Sequence, residues 1–308
     1  MQNIICLMGP TAAGKTPLAI DMVQRFPCEI ISVDSAMVYR EMDIGTAKPN
    51  ADALKMAPHR LINLVDPLEI YSAGQFQRDV LREINEVINK GKIPLLVGGT
   101  MMYFRILQQG LAALPEAQMQ VRDALQVRAQ TEGWETLHAE LMHIDPQAAK
   151  NIHPHDSQRI QRALEIYTTT GKTWSAYKTE NTYPLAAYRV HNLILFPSDR
   201  SQLHERIAAR FDTMLEQGLV DEARKLYERG DLHAALPSMR TVGYRQLWAY
   251  FSGEMDYETM REKAIIATRQ LAKRQLTWLR SWPESVKLAS DDHHLLDKIL
   301  KNIESISA

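Results

Sequence analysis

Two cysteines, Cys6 and Cys28, are all the thiols in 308 residues. Two cannot build a disulfide framework or a four-cysteine zinc site. Each lies within or beside an expected strand, where a small apolar side chain suits a core. No apolar run approaches the roughly 20 residues of a membrane-spanning helix. The first residues pass straight into an apolar strand without a basic region or cleavage site. A soluble, cytoplasmic protein is therefore expected. Net charge is nearly absent as well, at −1 from 36 Lys and Arg against 37 Asp and Glu, so the total by itself points to no polyanionic partner. Internal repeats and low-complexity tracts are missing too. A 45% hydrophobic content supports a well-filled core, and the length allows one large or two modest domains.

What is present is organised around Asn3 to Arg25. Gly9-Pro10-Thr11-Ala12-Ala13-Gly14-Lys15-Thr16 fits the Walker A pattern. The apolar run Ile4 to Met8 before it reads as a buried strand, and Leu18, Ala19, Met22 and Phe26 recur at helical spacing after it. Strand, glycine loop and helix together surround an anion with backbone N–H groups and a positive helix end. The glycines let the backbone approach a phosphate, Lys15 supplies a mobile charge, and the Thr16 hydroxyl is suited to a magnesium ion shared with the phosphates. Pro17 falls in the first helical turn, where its missing N–H costs little. The loop is expected to bind a di- or triphosphate such as ATP, without specifying which.

Further along, Glu29 to Val33, Leu61 to Val65, Pro94 to Val97 and Asn192 to Phe196 read as strands, and Ala73 to Asn89 as an amphipathic helix. Alternating strands and helices predict an α/β fold, a P-loop NTPase-like parallel sheet flanked by helices, with ligands beyond the carboxyl ends of the strands. Gly9 to Thr16, Asp34-Ser35 and Gly98 to Thr100 would converge on that edge. From about Leu114 strand signals give way to helical periodicity. The expected organisation is a catalytic core of 1–113 and 186–308 with a helical insertion domain at 114–185. Helices are expected at Leu203 to Gln217, Val220 to Arg229, Tyr257 to Trp282 and Leu295 to Ile306. Arg261 to Arg280 holds six cations against Glu262 alone, a concentration that the net charge hides.

Asp34, across the predicted crevice from the loop, has two readings that position alone leaves open. It can take a proton from a nucleophile attacking a bound phosphate ester, or cap a turn or helix. Thr100, after two glycines, can likewise donate to a phosphate oxygen or cap a helix. His153 with His155, and His293 with His294, lack the supporting ligand pattern of a metal site.

Ser32-Val33-Asp34-Ser35-Ala36-Met37-Val38-Tyr39-Arg40, Gly45-Thr46-Ala47-Lys48-Pro49, Leu96-Val97-Gly98-Gly99-Thr100-Met101-Met102-Tyr103 and Thr268-Arg269-Gln270-Leu271-Ala272-Lys273-Arg274-Gln275 closely resemble the tRNA dimethylallyltransferases, or isopentenyl-tRNA transferases. The likeness runs from the first strand to about Trp282 and includes Asp156 to Arg162 and Arg240 to Gln246. Ala36 stands where relatives often have Gln, and Met101-Met102 where Gly-Leu is common. Eukaryotic relatives add a zinc finger that two cysteines near the start cannot build.

The resemblance implies transfer of a dimethylallyl group from dimethylallyl diphosphate to N6 of the adenosine immediately 3′ of the anticodon, in tRNAs reading U-initial codons, with release of pyrophosphate. It implies Mg2+ on Thr16, Asp34 as base, Thr100 beside the breaking bond and Arg210 on the diphosphate. The tRNA contacts it implies are Asp34-Ser35-Ala36-Met37, Thr100, Arg122, Gln158-Arg159-Ile160-Gln161-Arg162, Arg240-Thr241-Val242-Gly243-Tyr244-Arg245 and Lys273-Arg274-Gln275-Leu276-Thr277-Trp278-Leu279-Arg280. The helical insertion would touch the anticodon stem-loop, and the adenine would have to flip out. A monomer free of any membrane is expected. A P-loop kinase of a small alcohol, an adenylate prenyltransferase acting on free nucleotide and an RNA-binding module with a vestigial loop remain the alternatives.

Overall fold

The structure, a computed structural model, describes residues 1–112, 114–177, 183–292 and 294–307, with 302–307 described by backbone alone. The chain divides into two compact units, Met1–Gln108 with Leu185–Ala308, and Gln109–Pro184. The second unit thus begins at Gln109 rather than 114, where the Met101–Gln109 helix ends.

In the first unit six strands are hydrogen-bonded in the order β3-β2-β4-β1-β5-β6. They are β1 (Gln2–Met8), β2 (Cys28–Val33), β3 (His59–Arg60), β4 (Ile93–Gly98), β5 (Tyr188–Phe196) and β6 (Ser285–Ala289). Every pairing is parallel. Ile4 to Met8 are buried on both faces of the sheet, as expected for a central parallel strand covered by helices on each side. Alternate residues feed different cores. Ile4, Cys6 and Met8 pack with Phe76, Phe104 and Trp282; Ile5 and Leu7 pack with Leu18, Ala19 and Met22.

Register decides where the site forms. Met8 of β1 and Val33 of β2 both pair with Gly98 of β4, so three strands end level, and Gly9, Asp34 and Gly99 leave the sheet along one edge. Gly98 is required there, because a Cβ on it would lie 2.0 Å from the Val33 carbonyl oxygen. Gly98→Ala should therefore lower thermal stability by at least the roughly 1–3 kcal/mol of an overpacked core; an unchanged melting temperature in calorimetry would refute this close approach.

One expected strand is corrected. Leu61 to Val65 is not a strand, since Leu61 (φ 61) and Asn63 (φ 55) are left-handed and break the extended run. The segment instead wraps around Met37 to Arg40, with Asn63 N donating to Met37 O at 3.1 Å, Leu64 N to Val38 O at 2.7 Å and Arg40 N to Val65 O at 2.9 Å. The edge strand β6 and the helices Ala51–Met56 and Tyr244–Phe251 carry too short a pattern to have been anticipated.

In the second unit the helices Met119–Glu132, Trp134–Ile144 and Ser157–Thr170 pack around Leu125, Leu137, Leu141, Ile160 and Leu164. Among the described residues no helix is long and apolar enough to cross a membrane.

Candidate active site

The glycine loop joins β1 to the Lys15–Arg25 helix. Ala12 (φ 61) and Gly14 (φ 84) are left-handed, and such turns point successive N–H groups into one concavity. No side chain caps the helix, whose N-cap residue is Gly14, so the first-turn amides stay open to an anion. Lys15 Nζ lies back on the loop, donating to Gly9 O at 2.9 Å and Pro10 O at 2.8 Å. Burial pulls its ammonium down to about 8; the charge of Asp34 opposes this fall and that of Arg210 adds to it. Arg210, on the Arg200–Glu216 helix, is likewise lowered by burial and raised by Asp34. These couplings place the three charges in one electrostatic site.

Asp34 sits one residue beyond β2. Its Oδ1 accepts from Ala36 N at 2.8 Å and Met37 N at 3.3 Å, so the turn-capping reading of this aspartate is realised. Among the described residues Oδ2 has no hydrogen-bond partner, which leaves one oxygen for a ligand. Thr100 Oγ1 accepts from Ser35 N at 3.1 Å and donates to Ser35 Oγ at 3.3 Å, binding the ends of β4 and β2 together.

A cavity of about 900 Å³ opens beyond these strand ends. Thr11 to Pro17, Asp34 to Met37 and Gly98 to Met102 line it, together with Arg210. Ile207, Phe211, Met214 and Leu271 supply an apolar wall, and Arg240, Thr241, Val242, Arg274 and Trp278 also line it. For Mg2+, Thr16 offers a hydroxyl on the wall with no partner among the described residues. No cluster of three or more His, Cys, Asp or Glu among the described residues could hold a metal alone. One hydroxyl plus phosphate oxygens and water fits a magnesium ion, which keeps much of its hydration. His293 lies outside the described residues.

The expected tRNA contacts divide by burial. Gln158, Arg159, Arg240, Arg245, Lys273, Arg274, Thr277, Trp278 and Arg280 are exposed. Ile160, Tyr244, Leu276 and Leu279 are core residues, at most 8% exposed, and Gly243 is buried with them. The side chains of Ile160, Tyr244, Leu276 and Leu279 face the core, as helical periodicity requires of the packed face of a helix. Arg122 and Arg162 are half-buried and share the carboxylate of Glu165, at 3.1 and 2.9 Å. Arg269 is half-buried, and its Nε has no partner among the described residues. Gln275 is buried; its Oε1 accepts from Thr11 N at 2.9 Å and its Nε2 donates to Gly99 O at 2.8 Å.

Two supports were not foreseen. Glu222 accepts from the amides of Asp43, Ile44 and Gly45 and from Tyr244 OH. Lys48, with a side chain 3% exposed, donates to Asp43 Oδ1 at 2.7 Å, Asn63 Oδ1 at 2.6 Å and the Tyr39 carbonyl. Both pin Gly45 to Lys48 against the cavity. The one available signal was a lysine and a glycine packed closely in Gly45-Thr46-Ala47-Lys48-Pro49.

A parallel sheet with a glycine loop, a carboxylate facing that loop and a large half-apolar cavity between them defines a P-loop enzyme that handles a phosphorylated, partly apolar substrate. Residues 37–282 match the model of the family described as IPP transferase, and the chain belongs to that family. A tRNA dimethylallyltransferase of Coxiella burnetii is 55% identical over 303 residues, covering 98% of this chain and 97% of that protein. One of Thioalkalivibrio sulfidiphilus is 58% identical over 279 residues, 91% of this chain and 87% of its own. Among solved structures, the full-length tRNA isopentenylpyrophosphate transferase of Bacillus halodurans superposes with a TM-score of 0.72 at 34% identity, over 100% of this chain and 96% of that one. A eukaryotic dimethylallyltransferase acting on tRNA gives 0.82 at 27% identity, over 99% and 78%.

Proposed function

We propose that this protein transfers the dimethylallyl group of dimethylallyl diphosphate to N6 of the adenosine immediately 3′ of a tRNA anticodon. The observation that carries the reading is that Lys15, Thr16, Asp34, Thr100 and Arg210 open onto one cavity whose remaining wall is largely apolar. Its size, about 900 Å³, lies near the top of the roughly 300–1,000 Å³ of small-molecule sites, which suits two reactants.

As the C1–O bond of the donor breaks, its electron pair leaves with pyrophosphate. The open amides of the loop, Lys15 and Arg210 meet the charge that develops there, as preorganised donors should. The N6–C1 bond forms, and Asp34 takes the N6 proton through the oxygen that the Ala36 and Met37 amides leave free. Thr100 holds Ser35 beside the acceptor by accepting from its N–H, and its one hydroxyl proton turns from Ser35 Oγ to the diphosphate when that is bound. Thr16 would hold a magnesium ion, which when bound neutralises leaving-group charge. Gln158 and Arg159 in one unit, and Lys273 and Arg280 in the other, contact tRNA. Cytoplasmic work is supported by the free, buried Cys6 and Cys28.

The test supplies labelled dimethylallyl diphosphate with unmodified tRNA, and separately labelled ATP with small alcohols. Label is expected in tRNA adenosine; label moving only from ATP to an alcohol would replace this reading with a kinase, and turnover on free AMP with an adenylate prenyltransferase. Lys273→Ala and Arg280→Ala should each weaken tRNA binding and reduce its logarithmic salt slope by about 1, read by titration at several salt concentrations. Slopes equal to the parent's would remove these cations from the RNA surface.

A further inference from the structure

Gln275 is the buried residue whose setting the proposed reaction leaves unexplained. It lies on the long Tyr257–Arg280 helix, between exposed residues of the same turns: Lys273 and Arg274 before it, Thr277 and Trp278 after it. Unlike them it faces inward, and its amide spans two turns of the active site. Oε1 accepts from Thr11 N of the glycine loop, 264 residues away in sequence, at 2.9 Å, and Nε2 donates to Gly99 O at the end of β4 at 2.8 Å. Gly99 admits the amide because it lacks a side chain; a Cβ there would lie 2.5 Å from Nε2.

The geometry selects a neutral amide. One terminal atom must accept from an N–H while the other donates to a carbonyl, and the uncharged carboxamide of Gln275 does both in one planar group without a change of protonation. A glutamate would set an oxygen against the Gly99 carbonyl. The bond also commits the Thr11 N–H, so the loop keeps its shape by leaning on the Tyr257–Arg280 helix, while Lys15 braces it through Gly9 O and Pro10 O. Any ligand that restrains this stretch of the helix therefore restrains the loop.

We infer that Gln275 is a positioning residue through which tRNA docking on the Tyr257–Arg280 helix and diphosphate docking in the glycine loop strengthen each other. The inference rests on the proposed assignment of those two surfaces to tRNA and diphosphate. It differs from the direct tRNA contact that the resemblance implies for this residue. Linkage makes the effect reciprocal: if RNA orders the helix and so the loop, diphosphate tightens RNA binding by the same factor.

The test measures the affinity of the full-length protein for unmodified tRNA with and without saturating pyrophosphate, in magnesium-containing buffer. The ratio should be about fivefold or more in the parent and about one in Gln275→Met, which keeps the side-chain length without the amide, while each ligand alone binds within about threefold of the parent. Gln275→Glu should also abolish the ratio. A second measurement needs no affinity ratio: tRNA alone should slow hydrogen exchange of the peptide spanning Gly9 to Thr16 in the parent, and Gln275→Met should lose that protection. A parent that binds both ligands with a ratio of one, an unchanged ratio in Gln275→Met, or exchange unaltered by tRNA would each overturn the coupling while leaving the proposed reaction intact. Failure of the parent to bind pyrophosphate at all would overturn the loop assignment and the coupling together.

Discussion

Asp34→Asn lowers prenyl transfer by about 10²–10⁴, the range of a lost general base, while pyrophosphate affinity stays close to the parent's. Asparagine is the informative replacement. Its side-chain oxygen still accepts from the Ala36 and Met37 amides, so the turn survives and only the capacity to take a proton is lost. Alanine would remove the cap as well, at about 0.5–2 kcal/mol for a comparable helix cap, mixing structure with chemistry. Rapid-mix kinetics at saturating substrate reads the chemical step. A rate for the Asp34→Asn variant equal to the parent's would transfer the proton to another acceptor.

Lys15→Met lowers kcat/KM for the donor by about 10²–10³, the scale of one preorganised donor to a developing anion. Its pH signature is more specific. Burial has brought the free protein's Lys15 to about 8 from an ordinary 10.5. For a lysine whose folded value is lowered, the cost of burying its charge is fully present below about 8 and disappears as pH rises towards 10.5. A bound diphosphate favours the ammonium, so above pH 8 binding must take up a proton, and affinity falls by up to about tenfold per pH unit. Lys15→Met lacks that slope, and the difference between the two proteins removes the titration of pyrophosphate itself. Parallel pH profiles from about 7 to about 9.5 would show that Lys15 does not meet the phosphates.

The glycine loop was legible because its chemistry is local. Strand, glycines, lysine, threonine and helix are contiguous, and backbone geometry alone turns that order into an anion site. Asp34 and Thr100 were legible for a different reason: a parallel sheet brings successive strand ends to one edge, and register sets Met8, Gly98 and Val33 level. The third strand was misplaced because left-handed Leu61 and Asn63 carry no glycine to announce them. Along the Tyr257–Arg280 helix the resemblance sets Leu276 and Leu279 as well as Gln275 against RNA, and all three are buried; Gln275 is the polar one among them. Polarity suggested exposure, whereas its partners are backbone groups supplied by distant loops.

The order of residues by itself determined the sheet, the phosphate loop and the edge on which reactive groups assemble, since each follows from short-range propensity and the alternation of strand and helix. Folding in three dimensions decided which polar side chains face a ligand and which brace the protein: Glu222 on the Asp43 to Gly45 amides, Lys48 beneath its loop, and Gln275 between Thr11 and Gly99. Such bonds depend on the distance between groups remote in sequence, and that distance is fixed only when the helices pack.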